Sequence, residues 1–267
     1  PIPPRVLREQ DRAPRSFLLV EWWRHGRCSR SILARGYARC MPSFSSKLNE
    51  LQTVLHAQGD RVLTLVTLAI ESYFDHDEAK ARTVVALDDE IDSVDVAIER
   101  ASIPLLAMGQ TNEHAIRQVL TLVKVNNELE RIADCGVNIA EQVVGHQHLP
   151  DPMPPTFRVM ANSVLGMLRD SNRALATSNA ELARQVLLFD DTVDRFRNEL
   201  ILQAQEQVAL GTSSVRFAFR VTGATRNMER IADHSTNICE QTIYLLSGKI
   251  VRHRPEGWSD PAPPELD

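Results

Sequence analysis

At 267 residues the chain is long enough for one or two domains with their own cores. Gly is scarce and aromatics make up only 5%, while Leu, Val, Ala, Glu and Arg dominate, so composition favours helix over sheet. The net charge of −5 is unevenly spread: residues 1–40 hold nine Arg against Glu9, Asp11 and Glu21, and the remaining acidic body argues against a nucleic-acid partner.

Residues 1–43 show no sustained period of 2 or 3.6 and are expected to be a disordered or non-native N-terminal extension, with Met41 as the natural start. From Phe44 onward Leu48, Leu51, Leu55, Val62, Leu65, Ala69 and Tyr73 fall on one stripe, which predicts a long first helix with Gly59 as a soft point. The longest nearly apolar run, Val62 to Ile70, is far short of the roughly 20 residues a membrane span needs, so a soluble protein is expected. Asp75-His76-Asp77-Glu78 signals the start of a second helix, which passes Asp88, meets Pro104 and stops near Gly109. Thr111-Asn112-Glu113 opens a third helix, expected to end near Gly145.

Four prolines within residues 149–156 predict a linker that no helix crosses. Beyond it Phe157, Met160, Val164, Met167, Leu168 and Leu175 mark a fourth helix, and Ser178-Asn179-Ala180-Glu181 has capping-box spacing for a fifth. Gly211-Thr212-Ser213 precedes a sixth helix that fades after Leu246, and the Pro-rich tail 253–267 is expected to be disordered. Cys28, Cys40, Cys135 and Cys239 form no Cys-x-x-Cys pair, which points to a reducing compartment.

The chain repeats itself. Glu130-Arg131-Ile132-Ala133-Asp134 recurs letter for letter as Glu229-Arg230-Ile231-Ala232-Asp233, and the segment 81–92 matches 183–194. The expected fold is therefore all-α: two tandem antiparallel three-helix bundles, one over 44–148 and one over 157–252.

Glu130 and Asp134 share a helix face, although like charges four residues apart cost a helix roughly 0.2–0.5 kcal/mol. At about 100° per residue Asp88, Asp92, Asp95 and Glu99 also form one stripe, bordering the apolar Leu87, Ile91, Val94 and Ile98. If the second and third helices pack side by side the two acidic ridges meet, and unpaired carboxylates about 4 Å apart would repel by roughly 4 kcal/mol at an effective dielectric of 20. Cations would turn that repulsion into coordination, and all-oxygen donors suit Mg, Ca, Mn or Fe. No Glu-x-x-His occurs, which removes a ferritin-like di-iron site. In the second half Asp190, Asp194, Glu229 and Asp233 repeat the pattern, but Arg197 stands where Asp95 stands and Arg226 where Asn127 stands, so fewer ions are expected there. A plain solvated acidic face is the competing account, as are salt bridges from Arg131 and Arg230, which the helical wheel places far enough round to need partners on other helices.

From Phe44 to Val251 these twin segments resemble the PhoU family of bacterial phosphate-signalling regulators. The resemblance implies a cytoplasmic, often homodimeric protein that can carry iron, manganese or magnesium on its acids. By position the ligands would be Asp88, Asp92, Glu130 and Asp134, with Asp95, and then Asp190, Asp194, Glu229 and Asp233. It also implies a regulator that restrains phosphate uptake and the starvation response through a phosphate ABC transporter ATPase subunit and a sensor histidine kinase, touching the membrane only through those partners. No nucleophile with a base, P-loop or dinucleotide turn is present, so no enzyme is expected. A metal-dependent hydrolase and a metal-free helical scaffold are the alternatives.

Overall fold

Every helix start but one has a side chain that satisfies its orphan N–H groups. The computed structural model describes residues 43–108, 112–144 and 153–251. The expectations for residues 1–42, for Gly109 and Gly145, and for the tail lie outside them. Among the described residues six helices follow one another: α1 Phe44–Asp75, α2 Glu78–Ala107, α3 Glu113–Ala140, α4 Pro155–Ala176, α5 Ala180–Ala209 and α6 Val215–Ser247. Ser43, Asp77, Asn112, Asn179 and Ser214 each accept hydrogen bonds from the first turn they precede. The exception is α4, which begins at Pro155, inside the segment read as a linker; proline tolerates the first helical position because its missing N–H would go unpaired there anyway.

Three sequence expectations are corrected by the structure. Ser178 does not cap α5: it adopts φ 51° in the left-handed region, and the next residue, Asn179, accepts from Leu182 N. The first half has the same turn, with His76 at φ 52° followed by the cap Asp77. Gly59 is no soft point either, since α1 runs unbroken through it. It is buried where Asn172 of α4 donates to its carbonyl oxygen at 2.9 Å, and a Cβ there would stand 3.1 Å from the Asn172 side chain. At the other end of its bundle α3 stops at Ala140 and the chain turns through Val144, short of the predicted end.

The apolar stripe of α1 is buried at every position named from the sequence. Within each half all three helices touch, and the halves are joined along α3 against α6 and α1 against α4. Both joints are antiparallel. On the first, Glu128 meets His234, Arg220 donates to Gln142 O at 3.0 Å, and Arg117 lies against Gly248. On the second, the ring of Phe157 lies 5.4 Å from those of Tyr73 and Phe74. These contacts relate the two bundles by an approximate twofold axis through the middle of the α3–α6 seam.

Candidate functional site

The acidic ridges read from the sequence face each other across neighbouring helices. In the first half Asp88, Asp95 and Glu130 are half-buried, and Asp92 and Asp134 are exposed. Burial, followed by the charges of Asp92 on the same helix and Asp134 on α3, pushes the Asp88 carboxyl up to about 6. Burial and then Asp134 raise Glu130, which also feels Asp95 and Asp92 across the groove. Burial and then Glu99 raise Asp95. The second half repeats the arrangement: burial, Asp233 and Asp194 push Asp190 up to about 6, and burial with Glu229 and Asp194 raises Asp233.

Two buried amides hold the first ridge in place. Gln58 of α1 donates to Ile91 O at 2.8 Å, next to Asp92, and Asn126 of α3 donates to both Asp95 Oδ1 at 2.6 Å and Asp95 O at 3.1 Å. Asp95 is thus already engaged by a neighbour. Arg131 pairs with Glu130 on its own helix, Nε to Oε2 3.5 Å, which corrects the expectation that it must look to another helix. A pair that crosses between helices joins Arg197 to Glu229, Nε to Oε2 3.6 Å.

Among the described residues, no three His, Cys, Asp or Glu side chains converge into a set that would ligate one ion. The first ridge brings together oxygen donors and crowded negative charge without forming a cage for an ion. The cysteines stand apart from it: Cys135 and Cys239 are buried, and burial pushes the Cys135 thiol up to about 11.

The sequence reading missed Gln58, Asn126 and a polar knot at the centre of the seam. Glu128 of α3 lies 2.7 Å from His234 Nδ1 and accepts from Asn237 Nδ2 at 3.0 Å, joining the segments that carry Glu130 and Asp233. Burial pushes the Glu128 carboxyl up, but the His234 and Asn237 hydrogen bonds outweigh it and hold the group below the ordinary carboxylate range. A signal was present: Glu128 aligns with Asn227 and His234 with Cys135, departures that flank letter-for-letter identity.

Two matches to the family model described as PhoU domain cover residues 55–143 and 157–242. The chain is 33% identical over 216 residues to the phosphate-specific transport system accessory protein PhoU homolog of Clostridium acetobutylicum, covering 78% of this chain and 96% of that one. It is 30% identical over 206 residues to PhoU homolog 1 of Thermotoga maritima, covering 75% and 89%. Among solved structures it resembles the phosphate transport system regulatory protein PhoU of Streptococcus pneumoniae, with a TM-score of 0.73 and 25% identity over 79% of this chain and all of that one. PhoU of Pseudomonas aeruginosa gives a TM-score of 0.70 at 28% identity, over 78% of this chain and all of that one.

Proposed function

The chain belongs to the PhoU family, and on that premise we propose that it is an accessory regulator of phosphate transport that restrains uptake and the starvation response when phosphate is plentiful. The observation that carries the reading is the doubled PhoU domain, matched over residues 55–143 and 157–242, with relatives named as accessory proteins of phosphate-specific transport aligned along most of their own length. Within it the protein works as a cytoplasmic, homodimeric adaptor between the transporter's ATPase subunit and a sensor histidine kinase, without chemistry of its own. No helix among the described residues is long and apolar enough to cross a membrane; in this reading the route to the membrane runs through partners. Iron, manganese or magnesium on Asp88, Asp92, Glu130 and Asp134 would supply the positive charge that holds α2 and α3 together at their acidic faces.

The surface offers matched places for a partner to dock. Met108, Ile116 and Leu120 are exposed at the α2–α3 tip, and at the corresponding repeat positions Leu210, Val215 and Phe219 are exposed at the α5–α6 tip. Leu210 and Phe219 are 77% and 74% exposed, unusual for side chains of their size. Because α3 and α6 run antiparallel, the tips lie at opposite ends, about 40 Å apart along the seam. In this reading they contact the ATPase subunit. Changing Leu210 and Phe219 to Glu is expected to abolish capture of that subunit while far-UV helicity stays unchanged; undiminished capture would remove the tips from the interface.

The test of the function is complementation. In a bacterium lacking its own copy, the chain is expected to restore repression of a phosphate-starvation reporter in phosphate-rich medium. A well-expressed, folded product that leaves the reporter fully on would overturn the proposal.

A further inference from the structure

We propose that the end of the α3–α6 seam beside the α6 C-terminus binds a small oxyanion through Lys124, Gln241 and Tyr244. At Gly248 a left-handed φ of 72° turns the chain out of α6. Ile250 and Val251 then wall a cavity together with Lys124 of α3 and Glu240, Gln241 and Tyr244 of α6. The cavity is open on one side and encloses about 290 Å³, the small end of the range for ligand pockets. Its polar lining is short of partners. Gln241 is only 7% exposed, yet among the described residues its amide makes no hydrogen bond, and Oε1 is shut away from solvent. A buried polar group left in that state costs about 1–3 kcal/mol. The Tyr244 hydroxyl has no hydrogen-bond partner among those residues either. The half-buried Lys124 forms no ion pair with any of them; its contact is the Tyr244 ring, with Nζ 5.5 Å from the centroid. Glu240, the carboxylate in the wall, has an interaction of its own. An ammonium, an amide N–H and a phenolic O–H around one cavity suit a ligand made of acceptor oxygens with negative charge.

The opposite end of the seam shows that this is no general feature of the repeat. There Arg220 donates to Gln142 O at 3.0 Å and lies over the Tyr73 ring, so that end is closed by the chain's own cation. The repeat counterpart of Arg220 is Thr121, which is 2% exposed and whose hydroxyl is unpaired, one turn before Lys124. In return, the register positions of Lys124 and Tyr244 hold Gly223 and Gly145 in the other copy. A Cβ on Gly223 would stand 3.3 Å from the Gln142 amide, so that end has no room for a longer side chain without movement. One end has thus exchanged an arginine that closes the joint for a lysine and a tyrosine that line a cavity. The site stands on these contacts alone; only inorganic phosphate as the first probe rests on reading the chain as a regulator of phosphate transport.

Isothermal titration calorimetry of the full chain tests the proposal, with inorganic phosphate, sulfate and acetate as probes. At least one is expected to bind; phosphate or sulfate without acetate marks a tetrahedral anion, and acetate alone marks a carboxylate. Lys124→Met, which keeps the length of the side chain beside Tyr244, is expected to weaken that binding about tenfold or more, the scale of one lost charge-assisted hydrogen bond. Tyr244→Phe is expected to weaken it less, and Lys80→Met, at a surface lysine paired with Glu71 and Asp75, not at all. Silence from all three probes overturns the site. So does binding that Lys124→Met leaves intact, which would mark an adventitious ion only. Should Lys124→Met lose far-UV helicity, Tyr244→Phe decides instead, and unchanged affinity there overturns the proposal. The titration contains no transporter, so its failure leaves the complementation result standing, and a failed complementation leaves a measured site standing.

Discussion

Neutralising the first ridge as Asp88→Asn, Asp92→Asn, Glu130→Gln and Asp134→Asn is expected to make the metal-free protein more stable at pH 7.5 while abolishing its response to metal. Asp88 and Glu130 have folded-state carboxyls raised by burial and by their acidic neighbours. A carboxyl raised on folding binds its proton more tightly in the folded state, so its contribution to stability falls as pH rises from the ordinary carboxylate range through about 6 and is restored as pH falls again. Wild type in chelator should therefore unfold at a higher temperature at pH 5 than at pH 7.5. The depressed Glu128 and Asp75, and His56, whose imidazole burial holds below its ordinary range, act in the opposite sense, but they stand against raised Asp88, Asp95, Glu130, Asp190 and Asp233.

Asp88 is partly exposed and screened by solvent, so the gain on neutralisation is discounted to about 1 kcal/mol, or roughly 2–4 °C in a chain of this size. Metal acts more strongly. A divalent cation at a hundred times its Kd adds about 2.7 kcal/mol to the wild type and nothing to the variant. Differential scanning calorimetry at pH 5 and pH 7.5, with EDTA or with Mn²⁺, reads all of these together. A variant less stable than wild type in EDTA at pH 7.5 would mean that the acids are held by partners and need no ion.

Phe157→Ala is expected to cost about 3–5 kcal/mol, the range for truncating a fully buried aromatic side chain. Phe157 is fully buried near the start of α4, stacked on Tyr73 and edge-on to Phe74, each 5.4 Å away. Arg158 lies over the Phe74 ring at 4.0 Å and Arg220 over the Tyr73 ring at 5.8 Å, so the aromatic joint is closed on its outer sides by cations. Removing the ring leaves a cavity that two helices from different halves would have to collapse around, and the α3–α6 seam limits how far they can move. Phe157→Leu, which keeps most of the volume, should cost less than about 1.5 kcal/mol. Urea unfolding followed by far-UV circular dichroism gives both numbers; a loss below 1 kcal/mol for Phe157→Ala would show that the seam alone ties the halves together.

Much of this molecule was legible before any coordinates. The α1 stripe from Leu48 to Tyr73 is buried position by position, and Asp77, Asn112 and Asn179 cap helices at or beside the places that turn chemistry pointed to. The failures were local in a different way. Ser178-x-x-Glu181 looks like a capping box, yet the turn between α4 and α5 places Ser178 in the left-handed region, as its twin places His76, and shifts the cap by one residue. Gly59 reads as weakness in a helix pattern, but the glycine is there because Asn172, on a helix over a hundred residues away, comes against it.

The helices, their order, the duplication and the acidic stripes follow from sequence because periodicity, capping and repetition are settled within a few turns of chain. What each acid meets was settled only by packing. Asp95 finds the Asn126 amide, Glu229 finds Arg197, Glu128 finds His234, and Asp88 finds further negative charge. A helical wheel gives the direction of a side chain but not which residue of another helix arrives within a few ångströms of it. Electrostatics and hydrogen bonding act over just that distance, so two nearly identical sequence segments end with different partners.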